Sequence, residues 1–215
     1  MGTKIEAHLS HLIERYPELV VCREDINNAY DLLEEAYGNG RKLLVCGNGG
    51  SASDSEHIVG ELMKEFKLKR KVYSDHAAML KAIDPELGQV LADHLQGALP
   101  TISLTGHSSL QTAYMNDAVP ELVFAQQVNG YGKPGDVFLG ISTSGNSKNV
   151  LYAAVNAKAK GLKVIGLTGA KENKLMKYAD VCIRVPETET YKIQELHLPV
   201  YHCMCLMLED HFFGE

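Results

Sequence analysis

The chain has 215 residues, 45% of them apolar, which fills one hydrophobic core at the upper end of the size that a single core serves. Its 21 Lys and Arg against 27 Asp and Glu leave a formal charge of −6, and no basic run stands out beyond Lys67–Lys71, so a nucleic-acid role, which needs clustered positive charge, is disfavoured. The opening MGTKIEAHLSHL lacks a signal-peptide core, no stretch approaches about 18 uninterrupted apolar residues, and the five widely spaced cysteines (Cys22, Cys46, Cys182, Cys203, Cys205) form no CxxC pair. A soluble protein of a reducing, cytoplasmic compartment is expected, with neither membrane nor nucleic acid as a partner.

Two helices lead the chain within residues 1–40, because apolar residues recur at helical spacing over Ile5–Ile13 and, after Tyr16-Pro17, over Ile26–Tyr37. Lys42–Cys46 is a short apolar run feeding GNGG, which predicts a buried strand followed by a helix from about Ser53 to Phe66. The segment between Val72 and Pro100 departs from this grammar. It predicts one or two helices broken at Asp84-Pro85, an insertion over 73–98 ahead of a strand at Thr101–Leu104. Ala77, Leu80, Ile83, Leu87, Val90, Leu91 and Leu95 recur near helical spacing there, so the insertion is expected to be ordered. Asp136–Ile141 then runs into STSGNS and a helix over Asn149–Lys160, Lys163–Thr168 runs into GAKENK and a short helix, and Val181–Val185 is one more strand. Ile193–Phe213 closes the chain as a helix apolar nearly all round, as a buried or interface helix is. Strands separated by helices require right-handed crossovers, which makes the sheet parallel. The expected fold class is α/β, a doubly wound, mainly parallel sheet flanked by helices, in one domain over 1–215.

In such a sheet ligands bind outside the carboxyl ends of the strands, where helix N-termini offer unpaired N–H groups to anions. GNGGSAS (Gly47–Ser53) and STSGNS (Ser142–Ser147) stand there, and the second gathers Ser142, Thr143, Ser144 and Ser147. Hydroxyls without a Lys or Arg suit a phosphate monoester held by neutral donors, and neither loop carries GxxxxGK[ST] or GxGxxG. The same residue types also make ordinary helix caps, so phosphate binding and capping both stay open on chemistry alone. His57 and Glu61 lie four apart on one helix face, a spacing that serves a metal pair or an exposed polar pair. In the apolar last helix Gln194, His197 and His202 each require a partner, and spacing does not choose between the two histidines.

The segments VCGNGGSASDSEH and LGISTSGNSKNV, together with IQELHLPVYH, resemble the signatures of SIS (sugar isomerase) domains and, among them, the phosphoheptose isomerases. The resemblance covers most of the chain outside residues 67–100. It implies a ketose–aldose isomerase of a phosphorylated sugar, sedoheptulose 7-phosphate giving a D-glycero-D-manno-heptose 7-phosphate type product, and a homotetramer with active sites between subunits. Carried across by motif, Ser51, Ser142, Thr143, Ser144 and Ser147 contact the phosphate and substrate, Asn48 lies near the sugar, and Asp117 follows from the dipeptide Asn116-Asp117. His57, Glu61, Gln194 and His202 match a divalent-metal site, commonly zinc, with Gln194 also a substrate contact and Glu61 and His202 the proton-transfer groups. Moving a carbonyl between C2 and C1 through an enediol needs a base for a carbon-bound proton and an acid for the oxygens, roles assigned to Glu61 and His202. Three departures bear on the substrate: Lys64-Glu65 where the family has Gly-Arg, Tyr191 where some members carry an acid, and the 73–98 stretch. They admit an isomerase of another ketose phosphate. A non-catalytic SIS protein that senses a sugar phosphate or binds a partner is the alternative from another class, and the complete Glu61, His202 and metal set argues against it.

Overall fold

Apolar runs buried on both faces make the centre of the molecule. The computed structural model describes residues 3–214, so the extreme ends of the 1–215 domain lie outside the described residues. Strands Leu43–Cys46 (β1), Thr101–Ser103 (β2), Val137–Ile141 (β3), Lys163–Gly169 (β4) and Val181–Val185 (β5) pair in parallel in the order β2-β1-β3-β4-β5. Every residue of β1 and β3 is buried, which is why these strands read as continuous apolar runs rather than alternating ones. Side chains still divide by face. Leu43 and Val45 enter a core with helices Thr3–Arg15 (α1), Arg23–Gly38 (α2), Gly50–Met63 (α3) and Thr190–Phe213 (α9), whereas Leu44 and Cys46 enter a second core with Val123–Tyr131 (α7) and Lys148–Ala159 (α8). The fold is a doubly wound α/β sheet whose strand order reverses between β1 and β3.

Several boundaries differ from the sequence expectation for local reasons. Helix α3 begins at Gly50 rather than near Ser53, because Gly49 takes φ +55° and turns the chain straight out of β1. A 3-10 segment, Pro17–Cys22, precedes α2, and a single 3-10 turn, Leu175–Lys177, replaces the short helix expected after β4. Helix Ser108–Asp117 (α6) and α7 were not expected as separate helices.

The 73–98 stretch forms two helices, Ser74–Ile83 (α4) and Pro85–His94 (α5), joined at Asp84, whose side chain accepts from the Glu86 and Leu87 amides. They cross so closely at Gly88 that a Cβ there would lie 2.2 Å from the Leu80 carbonyl oxygen. No residue of α4 and only Gly88 of α5 is buried; Ile83 is 83% exposed. The helical period holds, yet Ile83, Leu87, Val90, Leu91 and Leu95 do not pack on the body. The hairpin is rooted where the Gln96 side chain accepts from the Glu65 amide (2.9 Å) and Gly97 donates to the Arg70 carbonyl (2.8 Å).

Candidate active site

The loops after β1 and β3 flank the point at which strand order reverses, the place where open α/β sheets bind ligands. In the first, the Ser51 amide donates to the Asn48 carbonyl (3.1 Å) and the Ser51 side chain is buried at the start of α3. In the second, Ser142 and Ser147 place their hydroxyls 3.0 Å apart, and Ser144 Oγ accepts from the Asn146 amide at 3.2 Å. Ser142 is buried, Thr143 and Ser147 are half-buried, and Asn48 and Ser144 are exposed. A reciprocal amide pair ties the loops together: Asn48 Nδ2 donates to Asn149 Oδ1 (3.0 Å) and Asn149 Nδ2 to Asn48 Oδ1 (2.8 Å). Sequence reasoning passed over Asn149, whose one signal was its place two residues behind STSGNS. Gln194 reaches the same loops from α9, lying so close to Gly50 that a Cβ there would meet its Nε2 at 2.6 Å.

One turn and more along α3, a second group of side chains meets α9. His57 Nε2 lies 3.0 Å from Glu61 Oε1, and His202 Nε2 lies 3.5 Å from His57 Nε2. His57 Nδ1 faces the Tyr201 hydroxyl at 3.0 Å, and that hydroxyl donates to Asp54 Oδ1 at 3.2 Å. Neither Asp54 nor Tyr201 was singled out from the sequence. Glu61 Oε2 is buried with no hydrogen bond, its nearest cation being Lys64 Nζ at 3.7 Å. Lys64 thus puts positive charge beside the carboxylate, while Glu65, standing where the family has Arg, turns its amide to the hairpin root.

The structure separates the two histidines of α9. Five residues apart, they point about 140° away from each other round the helix. His202 joins the His57–Glu61 pair; His197 is fully buried, with neither ring nitrogen in hydrogen-bonding geometry. Burial pulls the His197 pKa down to about 4, against a smaller opposing effect of the Thr168 backbone. His202 is also lowered, by burial first and then by His57, against the opposing pull of Glu61. The neutral imidazole is favoured, so the acid role expected of His202 requires that it take up a proton first. Asp117 is not brought to this group within its own chain: it is exposed at the last position of α6 and held by Asn116 Nδ2 at 2.8 Å.

The two helices that carry the cluster are pinned by a buried ion pair. Arg70 Nε donates to Glu209 Oε1 (2.8 Å), while its remaining nitrogens donate to the Leu62 and Glu61 carbonyls, the last turn of α3. Glu209 also accepts from the Phe66 and Lys67 amides, each at 2.9 Å, so the chain leaving α3 is fixed on α9.

Among the described residues no group of three His, Cys, Asp or Glu is arranged as a ligand set for a metal ion. Two imidazoles and a carboxylate with an unpartnered oxygen are nevertheless the donor types a divalent ion such as zinc takes. Gln194 is not with them: it stands eight residues before His202, about 12 Å along the helix, with its amide on Gly50.

The SIS domain family model matches residues 8–90 and 91–169 of the chain. The phosphoheptose isomerase of Clostridium acetobutylicum is 37% identical over 218 aligned residues, covering 100% of this chain and 98% of that protein. The phosphoheptose isomerase of Geotalea daltonii is 40% identical over 185 residues, 86% of this chain and 83% of its own. Among solved structures, the phosphoheptose isomerase of Neisseria gonorrhoeae superposes with a TM-score of 0.73 at 31% identity, covering 96% of this chain and 97% of that one.

Proposed function

The chain belongs to the phosphoheptose isomerases of the SIS domain family, and from that premise we propose that it interconverts sedoheptulose 7-phosphate and a D-glycero-D-manno-heptose 7-phosphate type aldose through an enediol. The class of enzyme, a phosphosugar isomerase, follows from the family. The assignment of residues rests on one observation: Glu61 Oε1 lies 3.0 Å from the Nε2 of one imidazole, which itself adjoins a second, on the helix that leaves the first of two hydroxyl-bearing loops.

In this reading Ser51, Ser142, Thr143, Ser144 and Ser147 hold the phosphate with hydroxyl and backbone donors, and Asn48 and Gln194 orient the sugar. Glu61 takes the proton from the carbon beside the carbonyl and returns it to the neighbouring carbon. His202, neutral at rest, receives the hydroxyl proton that leaves one oxygen and delivers it to the other. A divalent ion, zinc by donor type, would be held by His57, Glu61 and His202, joined by Gln194 if its amide leaves Gly50, and would supply Lewis-acid stabilisation of the enediol oxygens. Asp117 would serve a neighbouring copy in the homotetramer that the family resemblance implies, and the exposed apolar residues of α4 and α5 support association of copies. Five free cysteines, four of them buried, support a cytoplasmic site of action. The hairpin root, Gln96 on the amide four residues beyond Glu61, supports a role for α4 and α5 in limiting which ketose enters.

The test is incubation with a panel of ketose 7- and 6-phosphates, with and without zinc, followed by product analysis. Sedoheptulose 7-phosphate is the expected substrate; preferential conversion of another member would reassign it, and no conversion would favour the sensor alternative. Glu61→Gln should lower kcat by at least ~100-fold while ligand binding persists. Near-normal turnover in that variant removes Glu61 from the chemistry.

A further inference from the structure

Helix α3 carries Asp54, His57 and Glu61 at i, i+3 and i+7, a single stripe facing α9. Tyr201, on α9 next to His202, bridges the first two members of that stripe. We propose that the Asp54–Tyr201 pair is a positioning device for the isomerase: it holds a proton on His57 Nδ1, so that Nε2, the nitrogen facing Glu61, is the one left for a shared proton or a cation. The proposal rests on the isomerase reading above and deepens it.

The argument is one of donors and acceptors. Tyr201 has one hydroxyl proton, and Asp54, as a carboxylate, has none to give. With the hydroxyl donating to Asp54 Oδ1 at 3.2 Å, the contact of 3.0 Å to His57 Nδ1 is satisfied only when Nδ1 is the donor. A neutral imidazole carries one N–H, so Nε2 is then an acceptor. It points at another acceptor, Glu61 Oε1, at 3.0 Å, with His202 Nε2 at 3.5 Å. Two acceptors at that distance are held together by a proton or by a cation between them. The first case is what proton transfer requires: once Glu61 has taken a proton from the substrate, His57 Nε2 accepts from the new O–H and keeps it oriented for return. The second is what a divalent ion requires, since it binds the unprotonated ring nitrogen.

A buried tyrosine that merely finds a hydrogen-bond partner is the plainer reading, and Tyr201 is 1% exposed. Three features go beyond it. The hydroxyl has two partners of opposite hydrogen-bonding character rather than one. Its ring stands edge-on to both imidazoles, 5.5 Å from His57 and 5.0 Å from His202 between centroids, which restrains their rotation. Asp54 Oδ2 is buried without a hydrogen bond, so this carboxylate is kept at that depth with only Oδ1 satisfied.

The test reads the tautomer directly, by nitrogen NMR of histidine-labelled protein treated with chelator. The expected result is a His57 with Nδ1 protonated, whether or not Nε2 shares a proton with Glu61. Tyr201→Phe removes the hydroxyl alone and should mix the two tautomers, weaken zinc binding about 10–100-fold by calorimetry, and lower kcat by a similar factor with KM little changed. Asp54→Ala frees the tyrosine proton to turn toward Nδ1 and should move the ring proton to Nε2, a reversal that loss of folding cannot produce. A wild-type His57 with Nδ1 unprotonated, or a Tyr201→Phe protein with unchanged tautomer, zinc affinity and kcat, overturns the proposal. Because the tautomer is read without substrate, a panel that yields no turnover while Nδ1 stays protonated counts against the isomerase reading and not against the pair.

Discussion

Helix α9 and the α4–α5 hairpin are both apolar, and they have opposite fates. Ile193, Leu196, Val200, Met204, Met207 and Leu208 of α9 are buried between α1, α2, α3 and the sheet. On the hairpin, Met79 is 64% and Leu87 65% exposed, although the two helices pack tightly on each other at Gly88. The lesson is that apolar spacing specifies a helix face but not what covers it; burial needs a third element, and the fold supplies one to α9 alone. The difference extends to polar groups, since α9 and its neighbours enclose Glu209, Arg70 and His197, whereas every charged side chain of the hairpin is solvated.

The sharpest way to break the comparison is at the buried ion pair. Glu209→Leu leaves the Arg70 guanidinium and two amides without their acceptor, and should lower the unfolding free energy by about 3–5 kcal/mol in urea titrations. A loss under about 1 kcal/mol would show that α9 is not pinned there.

The next effect in size comes from His197, whose folded pKa lies near 4 against an ordinary 6.5. Between those values the unfolded chain binds a proton that the folded chain does not, so stability is present above about pH 6.5 and falls as the pH drops toward 4. The unfolding free energy of His197→Leu relative to the parent should therefore move by about 3 kcal/mol in the variant's favour between pH 7 and pH 4. A pH-independent difference would mean that the ring is solvated.

The smallest effect is expected on the hairpin. Ile83→Ser with Leu87→Ser removes two large apolar side chains from solvent and should change the unfolding free energy of the dissociated chain by no more than about 0.5 kcal/mol while weakening association of copies. A greater loss would show that the face packs on the body, and unchanged assembly by sizing would show that no other copy covers it.

Much of the fold was legible because β1 and β3 lie between two helical layers, so both appeared as unbroken apolar runs ending in a glycine or serine turn. The two loops and the His57–Glu61 spacing were legible for the same reason: they are local. What stayed hidden is carried by contacts between distant residues. Only the packing of α9 on α3 separates His202 from His197, pairs Tyr201 with Asp54 across 147 positions, and gives Arg70, seemingly part of a solvated basic run, a buried partner. The hairpin was legible as helix and illegible as surface, because its period is equally that of a helix packed against something.

The Arg70–Glu209 pair joins residues 139 positions apart, and α9 also receives His8 from α1 and Tyr30 from α2. During synthesis from the N-terminus the strands and their crossovers can pair as they emerge, but α3 has no partner for its last turn until α9 has left the ribosome. Contacts of such long sequence separation form late and slowly. The chain therefore has the loops after β1 and β3 before it has His57, Glu61 and His202 in register, and a copy truncated before Glu209 would carry those loops without the pin that sets α9 against α3.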